Sequence, residues 1–322
     1  MNLQGGGDLD LSIVVPCYNE SLNLNKFYQE LLKELLRIKT QIKEDLSYEL
    51  IFVNDGSKDG SLKILKGLKK QDLCIKIINF SRNFGKEAAI LAGLKQSKAK
   101  ACILIDADLQ DPIELIYTMY ESFFYKKADI IYARRVNRDK EGKIRAFFSK
   151  TFYLIYNLLS EVKLQSGVRD FRLMSKEVVQ AILKLNEYHR FCKAIFEWVG
   201  FKKICLDYTY RPREAGESGW SFYKLLKYGF EGIISFSTFP LKISFVLGLL
   251  TSLLAFFYAL YIFFDTLIFG NEVKGYASLI CVILFFAGVQ LIILGIIGEY
   301  IARIYEQVKN RPHFIIKEDN EK

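Results

Sequence analysis

The sequence predicts an α/β domain, with a mostly parallel sheet flanked by helices, followed by interfacial helices and a two-helix transmembrane hairpin. Three observations predict it. Before residue 240, apolar clusters of strand length alternate with longer amphipathic stretches, the pattern of a sheet covered on both faces. Those clusters end in Asn, Asp and Gly, and such sheets bind ligands at the carboxyl ends of their strands. After Pro240 the composition turns almost wholly apolar. The 322 residues are 51% hydrophobic and 25% charged, which excludes disorder as the main state, and the mean hydropathy of +0.13 is high for a soluble enzyme.

In chain order, residues 1–10 are expected to be a flexible leader around Gly5, Gly6 and Gly7, with no signal peptide because no apolar stretch follows a basic start. A domain is expected over 11–218. Residues 11–15 (Leu-Ser-Ile-Val-Val) read as a buried strand closed by Pro16. Residues 22–38 carry Leu and Phe at helical spacing with Lys and Glu between them, so they read as a helix. Strands follow at 49–53, 75–80, 101–105 and 129–133, and helices at 61–68, 86–96 and 113–125. The turn-rich Asn-Asp-Gly-Ser at 54–57 ends the second strand.

Within 241–300, two runs at 243–264 and 277–297 are long enough to cross a bilayer core of roughly 30 Å, which takes about 20 helical residues. Buried core helices are the alternative, but neither run has a polar face. The loop at 265–276 holds one Lys and no Arg, whereas Lys224, Lys227 and Lys242 precede the hairpin and Arg303, Lys309 and Arg311 follow it. The positive-inside rule then places both termini, with the tail 301–322, in the cytosol. The segment 219–240, rich in Lys and aromatics, reads as interfacial.

The net charge of +9 suits nucleic acid, an anionic membrane or a phosphate-bearing substrate. The basic residues are dispersed or near the membrane and no nucleic-acid motif occurs, so nucleic acid is not the expected partner. Cysteines at 17, 74, 102, 192, 205 and 281 form no C-x-x-C pair and keep no metal spacing with His189 and His313. Neither a disulfide framework nor a zinc site is expected. The glycine fingerprints of dinucleotide-binding folds and of P-loops are both missing.

Asp106 and Asp108 come directly after an apolar strand. Two carboxylates at a strand end can converge on one hard cation, Mg²⁺ or Mn²⁺, which also bridges substrate phosphates. A solvated acidic turn is the alternative. At 15–20 (Val-Pro-Cys-Tyr-Asn-Glu), Tyr18 can pack on a base and Glu20 can accept from a ring N–H or a ribose hydroxyl; an ordinary loop with Asn19 as helix cap competes with that reading.

Residues 15–20, 53–60 (Val-Asn-Asp-Gly-Ser-Lys-Asp-Gly) and 106–112 (Asp-Ala-Asp-Leu-Gln-Asp-Pro) together resemble a family 2 glycosyltransferase with the GT-A nucleotide-sugar-binding fold. Residues 81–89 (Ser-Arg-Asn-Phe-Gly-Lys-Glu-Ala-Ala), 213–218 (Arg-Glu-Ala-Gly-Glu-Ser) and the terminal hairpin narrow the resemblance. They are similar to the polyisoprenyl-phosphate glycosyltransferases, the group of dolichol-phosphate mannose synthase, and most of all to bactoprenol glucosyltransferases of the GtrB type. The resemblance implies inverting, metal-dependent transfer of a sugar, with UDP-glucose favoured as donor, to undecaprenyl (polyisoprenyl) phosphate. It places the chain in the bacterial inner membrane as a homo-oligomer, a tetramer in related proteins.

By the same resemblance, Pro16, Tyr18, Glu20 and Asp55 hold the base and ribose. Asp106 and Asp108 bind metal and diphosphate, Gln110 lies near the sugar, and Arg213 and Ser218 close over the diphosphate. Arg134, Arg145 and Ser149 match positions that hold the lipid's phosphate; Arg145 and Ser149, four apart, can share a helix face, or belong to an exposed basic helix. Asp170 matches the family's candidate catalytic aspartate beside Asp108, with a turn or a salt bridge to Arg169 or Arg172 as the alternative. Gly219 and Trp220 depart from the mannose synthases, which carry a Lys and a hydrophobic residue there; Lys86 is a candidate for that charge, or an ordinary surface lysine. A processive polysaccharide synthase would need a longer membrane channel and a Q-x-x-R-W motif, and the sequence has neither. A non-catalytic membrane scaffold would not need the acidic strand ends.

Overall fold

Side chains that alternate between two apolar layers build a seven-stranded sheet at the centre of the domain. The computed structural model describes residues 9–136, 151, 153–209, 237, 239–269 and 275–317. The strands are β1 (Leu11–Cys17), β2 (Tyr48–Asn54), β3 (Ile75–Asn79), β4 (Ala101–Leu104), β5 (Ile130–Arg135), β6 (Val168–Ser175) and β7 (Lys203–Tyr208). Among the described residues the helices of this domain include α1 (Leu24–Gln41), α2 (Ser61–Gln71), α3 (Lys86–Gln96), α4 (Leu115–Lys126), α5 (Lys176–Leu183) and α6 (Cys192–Trp198), and residues 153–159 are helical as well. Strand order is β3-β2-β1-β4-β6-β5-β7, with β6 antiparallel to both neighbours and every other pairing parallel.

The elements expected up to residue 133 are present, with ends shifted by a few residues. One local expectation is corrected. Pro16 does not close β1, which runs on to Cys17 with Pro16 opposite Val53. The carbonyl of Val14 faces β4 and that of Cys17 faces the β2 side, so the edge of Pro16 that lacks an N–H faces β4, whose pairing with β1 has ended at Leu104. A proline removes no ladder bond there. The strands β6 and β7 and the helices α5 and α6 add to what the sequence reading covered; β6 reads Val-Arg-Asp-Phe-Arg-Leu-Met-Ser, where charges interrupt the apolar run.

Ile13 and Val15 of β1 face one apolar layer, with Leu31 of α1 and Met119 of α4. Val14 faces the other, with Leu94 of α3, Ile182 of α5 and Phe196 of α6. Helix α3 lies close on β1 because Gly93 lets it: a Cβ there would stand 2.1 Å from Val14 Cγ1. Gly93→Ala is therefore expected to destabilise the domain by about 1–3 kcal/mol, the usual cost of overpacking, read as a lower thermal midpoint in detergent.

Helices α7 (Phe239–Phe269) and α8 (Tyr276–Val308) follow, and both are long and apolar enough to cross a membrane. Their apolar side chains stay exposed, Phe256 at 59% and Leu291 at 69%, so they are not core helices of this domain. Helix α8 runs well past residue 297, where the sequence reading ends the span, and its last turns reach the domain. Gln307 accepts from the Tyr188 amide (2.7 Å) and donates to the Asn186 carbonyl (2.8 Å), and Glu306 pairs with His189. Beyond α8 the chain returns to the sheet. The Ser81 amide donates to the Ile315 carbonyl (3.0 Å), the Lys317 amide donates to the Asn79 carbonyl (2.7 Å), and Phe314 stacks on Phe80 at 5.0 Å. Phe314→Ala is expected to lower stability by about 2 kcal/mol, less than a fully buried phenylalanine because the ring is only partly covered; a thermal melt compared with wild type checks it.

Candidate active site

Strand direction decides which side chains meet at the carboxyl ends of β1, β2 and β4. β4 ends at Leu104, and the chain runs out through Asp106 and Asp108. Leu109, at φ +58°, turns it back, and Asp108 Oδ1 accepts the Gln110 amide at 3.2 Å. Antiparallel β6 sets Arg172 opposite Leu104. Two residues further along that register, Asp170 comes to the side of Asp106. Lys86, the first residue of α3, fills the space between them, with Nζ 2.7 Å from Asp106 Oδ2 and 2.5 Å from Asp170 Oδ2. All three side chains keep an opening to solvent, at 35% for Lys86, 22% for Asp106 and 16% for Asp170.

Two neighbouring carboxylates repel unless a cation compensates them. Burial alone would push the Asp170 carboxyl up; the Lys86 ammonium, with Lys193 and Arg172, outweighs it and holds the group well below the usual carboxylate range. Burial pulls the Lys86 ammonium down, and Asp106 and Asp170 outweigh that, holding it above the ordinary lysine value. Lys86 and Asp170 are therefore charged at neutral pH.

Neither arginine beside Asp170 pairs with its carboxylate. Arg172, 1% exposed under the Phe196 ring, donates Nε to the Asp170 carbonyl (3.1 Å) and Nη2 to the Arg169 carbonyl (2.8 Å). It holds the backbone that presents Asp170. Arg169 reaches away to Asp111 (3.2 Å) and to Gln110 Oε1 (2.7 Å), and the Tyr208 hydroxyl donates to Asp111 at 2.6 Å. A guanidinium only donates, so it fixes Gln110 with its oxygen toward Arg169 and its NH₂ as the remaining donor.

On the other side, two loops are laced together. Asn19, at φ +55°, accepts the Lys58 amide on Oδ1 (2.9 Å). The Glu20 amide donates to Ser61 Oγ (2.9 Å), and the Ser21 amide donates to Asp59 Oδ2 (3.1 Å). Tyr18 stands at the rim, 42% exposed, and the Glu20 carboxylate accepts from Asn23 Nδ2 at 2.7 Å. Asp55, expected with Pro16, Tyr18 and Glu20 around the base and ribose, also holds a neighbouring loop. It is buried, and its two oxygens accept the amides of Phe84 (2.7 Å) and Gly85 (3.0 Å), so Asp55 anchors the loop that leads to Lys86. Gly56, at φ +64°, permits that approach, since a Cβ would lie 2.4 Å from the Arg82 carbonyl carbon.

Arg134, expected at the lipid's phosphate, stands on β5 beside β7. Its guanidinium forms a bidentate pair with Asp207 of β7 (2.7 and 2.9 Å). Arg145, Ser149, Arg213 and Ser218, with most of 219–240, lie outside the described residues. Sequence reasoning left Lys86 undecided; the signal for it was its place at the first residue of a helix following a strand of the parallel set.

Residues 12–183 match the family model described as glycosyl transferase family 2, and residues 239–304 match the GtrB C-terminal hairpin. An uncharacterized glycosyltransferase of Synechocystis is 44% identical over 310 residues, covering 96% of this chain and 95% of that protein. The SfII prophage-derived bactoprenol glucosyl transferase of Shigella flexneri is 42% identical over 312 residues, covering 97% and 99%. The putative glycosyltransferase CsbB of Bacillus subtilis is 42% identical over 310 residues, covering 96% and 92%. With both models matched in chain order and relatives above 40% identity along nearly the whole length, the chain belongs to glycosyl transferase family 2, has the GT-A fold and carries the GtrB-type C-terminal hairpin.

Proposed function

We propose that the protein transfers glucose from UDP-glucose to polyisoprenyl phosphate, with inversion at the anomeric carbon, at the cytosolic face of the bacterial inner membrane. The observation that carries the reading is the Asp106–Lys86–Asp170 cluster, with Asp108 beside it, at the strand ends of a domain followed by a membrane hairpin. The bactoprenol glucosyl transferases among its relatives support the acceptor and the sugar.

Among the described residues, no group of three or more His, Cys, Asp or Glu side chains could hold a metal by itself. Asp106 and Asp108 nonetheless suit Mg²⁺ or Mn²⁺, because such ions are commonly held by one or two carboxylates and complete their shell with water and substrate phosphates. A bound divalent ion supplies charge neutralisation at the donor's diphosphate. The chain's own residues do the rest. The Gln110 NH₂, fixed by Arg169, offers a donor to a sugar hydroxyl. The acceptor phosphate has a second pKa of about 6, so it is largely ionised at neutral pH and needs no strong base. Asp170, ionised, orients the acceptor or takes a residual proton on a carboxylate oxygen. The hairpin keeps the site where the lipid's phosphate lies.

A donor screen tests the reading. Purified protein, undecaprenyl phosphate and Mg²⁺ or Mn²⁺ are combined with labelled UDP-glucose, UDP-galactose, UDP-N-acetylglucosamine or GDP-mannose. UDP-glucose is expected to label the lipid fastest, giving a product of opposite anomeric configuration. Labelling from another donor alone would replace the sugar, and retention of configuration or an unlabelled lipid would overturn the mechanism.

A further inference from the structure

Lys86 stands where two tasks of the site meet. Asp106 is one of the two carboxylates suited to a divalent cation, and Asp170 faces it from another strand; a single ammonium contacts both, at 2.7 and 2.5 Å. The position is built rather than incidental. The loop before Lys86 is held by Asp55, through the amides of Phe84 and Gly85 and the Asn83 side chain on the Asp55 carbonyl (3.3 Å). Glu87, the next residue, accepts the Cys192 amide at 3.1 Å, which fixes the start of α3 on the far side.

We propose that Lys86 is a positioning residue that occupies Asp106 in place of the divalent cation until that cation arrives, while keeping Asp170 turned into the site. The inference rests on the reading of Asp106 as a metal ligand. An ammonium and a divalent ion that share one carboxylate compete for it and repel each other, so each weakens the hold of the other by the same factor. A neutral side chain of similar length removes the competitor. The carboxylates then bind the cation more tightly, while transfer slows because Asp170 has lost its partner. Local unfolding would weaken both, so the opposed signs separate this role from a structural one.

The test uses the full chain in detergent without nucleotide, titrated with Mn²⁺ and followed by the electron paramagnetic resonance signal of free Mn²⁺. Lys86→Met is expected to bind Mn²⁺ at least about fivefold more tightly than wild type, and to transfer sugar at least about tenfold more slowly at saturating Mn²⁺. Lys86→Arg, which keeps the charge, is expected to stay within about twofold of wild type for Mn²⁺. Lys86→Gln replaces Lys86→Met if the latter does not fold, as judged by its thermal melt. Mn²⁺ binding that is equal or weaker in the neutral variant, or undetectable in wild type and variant alike, overturns the proposal. So does tightening in Lys86→Arg, or undiminished transfer in the neutral variant. The Mn²⁺ titration needs neither donor nor acceptor, so it fails or succeeds independently of the donor screen.

Discussion

Asp106→Ala and Asp108→Ala are each expected to lower glucosyl transfer to undecaprenyl phosphate at least about 100-fold, a loss of about 2.7 kcal/mol of transition-state stabilisation. Both carboxylates leave β4 at the end where substrates bind, and Asp108 is braced by the Gln110 amide. In the proposed mechanism, removing either would take away a ligand oxygen for the ion that would neutralise charge at the donor's diphosphate. Asp108 is partly exposed in the turn after β4. Asp106 does pair with Lys86, but that pair keeps 22% and 35% of its side-chain surface, and a solvent-screened pair contributes under about 1 kcal/mol. Thermal midpoints close to wild type are therefore expected alongside the loss of activity. Labelled-lipid assays in Mg²⁺ and in Mn²⁺ decide it, and turnover at the wild-type rate in either variant would remove the metal role from these residues.

Asp170→Asn is expected to slow transfer at least about 100-fold, the order of loss when a group that orients the acceptor is removed. The substitution keeps the shape and removes the charge that faces Lys86 at 2.5 Å. The Asp170 carboxyl is held below its ordinary value, to which burial is opposed and Lys86 the main contributor. Stability from this depressed group is present above the free-carboxylate pKa of about 4 and is lost as pH falls through the lower folded value. Lys86 has the opposite sign: its raised pKa gives stability that is complete below about 10.4 and lost as pH climbs through the folded value. Between about pH 5 and pH 10 the pair is fully charged. An acid limb in the rate near pH 6 thus belongs to the second ionisation of the acceptor phosphate, at about 6, and it is expected to persist in Asp170→Asn. A pH–rate profile of wild type and variant checks this. A limb that disappears in the variant would make Asp170 the titrating group, and a near-normal rate would reduce it to a structural residue.

Much of the site was legible because its signals are local. Asp106 and Asp108 follow an apolar run by one and three residues, Asp55 follows another, and a parallel α/β sheet puts such residues on its ligand-binding edge. Two membrane-length runs likewise declare themselves by composition alone. The partners of these residues were not legible. Asp170 had two arginines close by in sequence, yet its carboxylate meets a lysine 84 residues away. Arg169 serves Gln110 and Asp111 instead, and Arg134 is taken by Asp207.

The amino-acid sequence by itself determined the βα alternation, the acidic strand ends, the hairpin and, through its motifs, the family. Only the tertiary structure decided that β6 enters antiparallel between β4 and β5, that its register brings Asp170 to Asp106, and that Lys86 sits between them. Apolar periodicity specifies which face of a strand is buried. It carries no information on the order and direction in which distant strands pair, and that pairing is what sets two acids and one base within hydrogen-bonding reach.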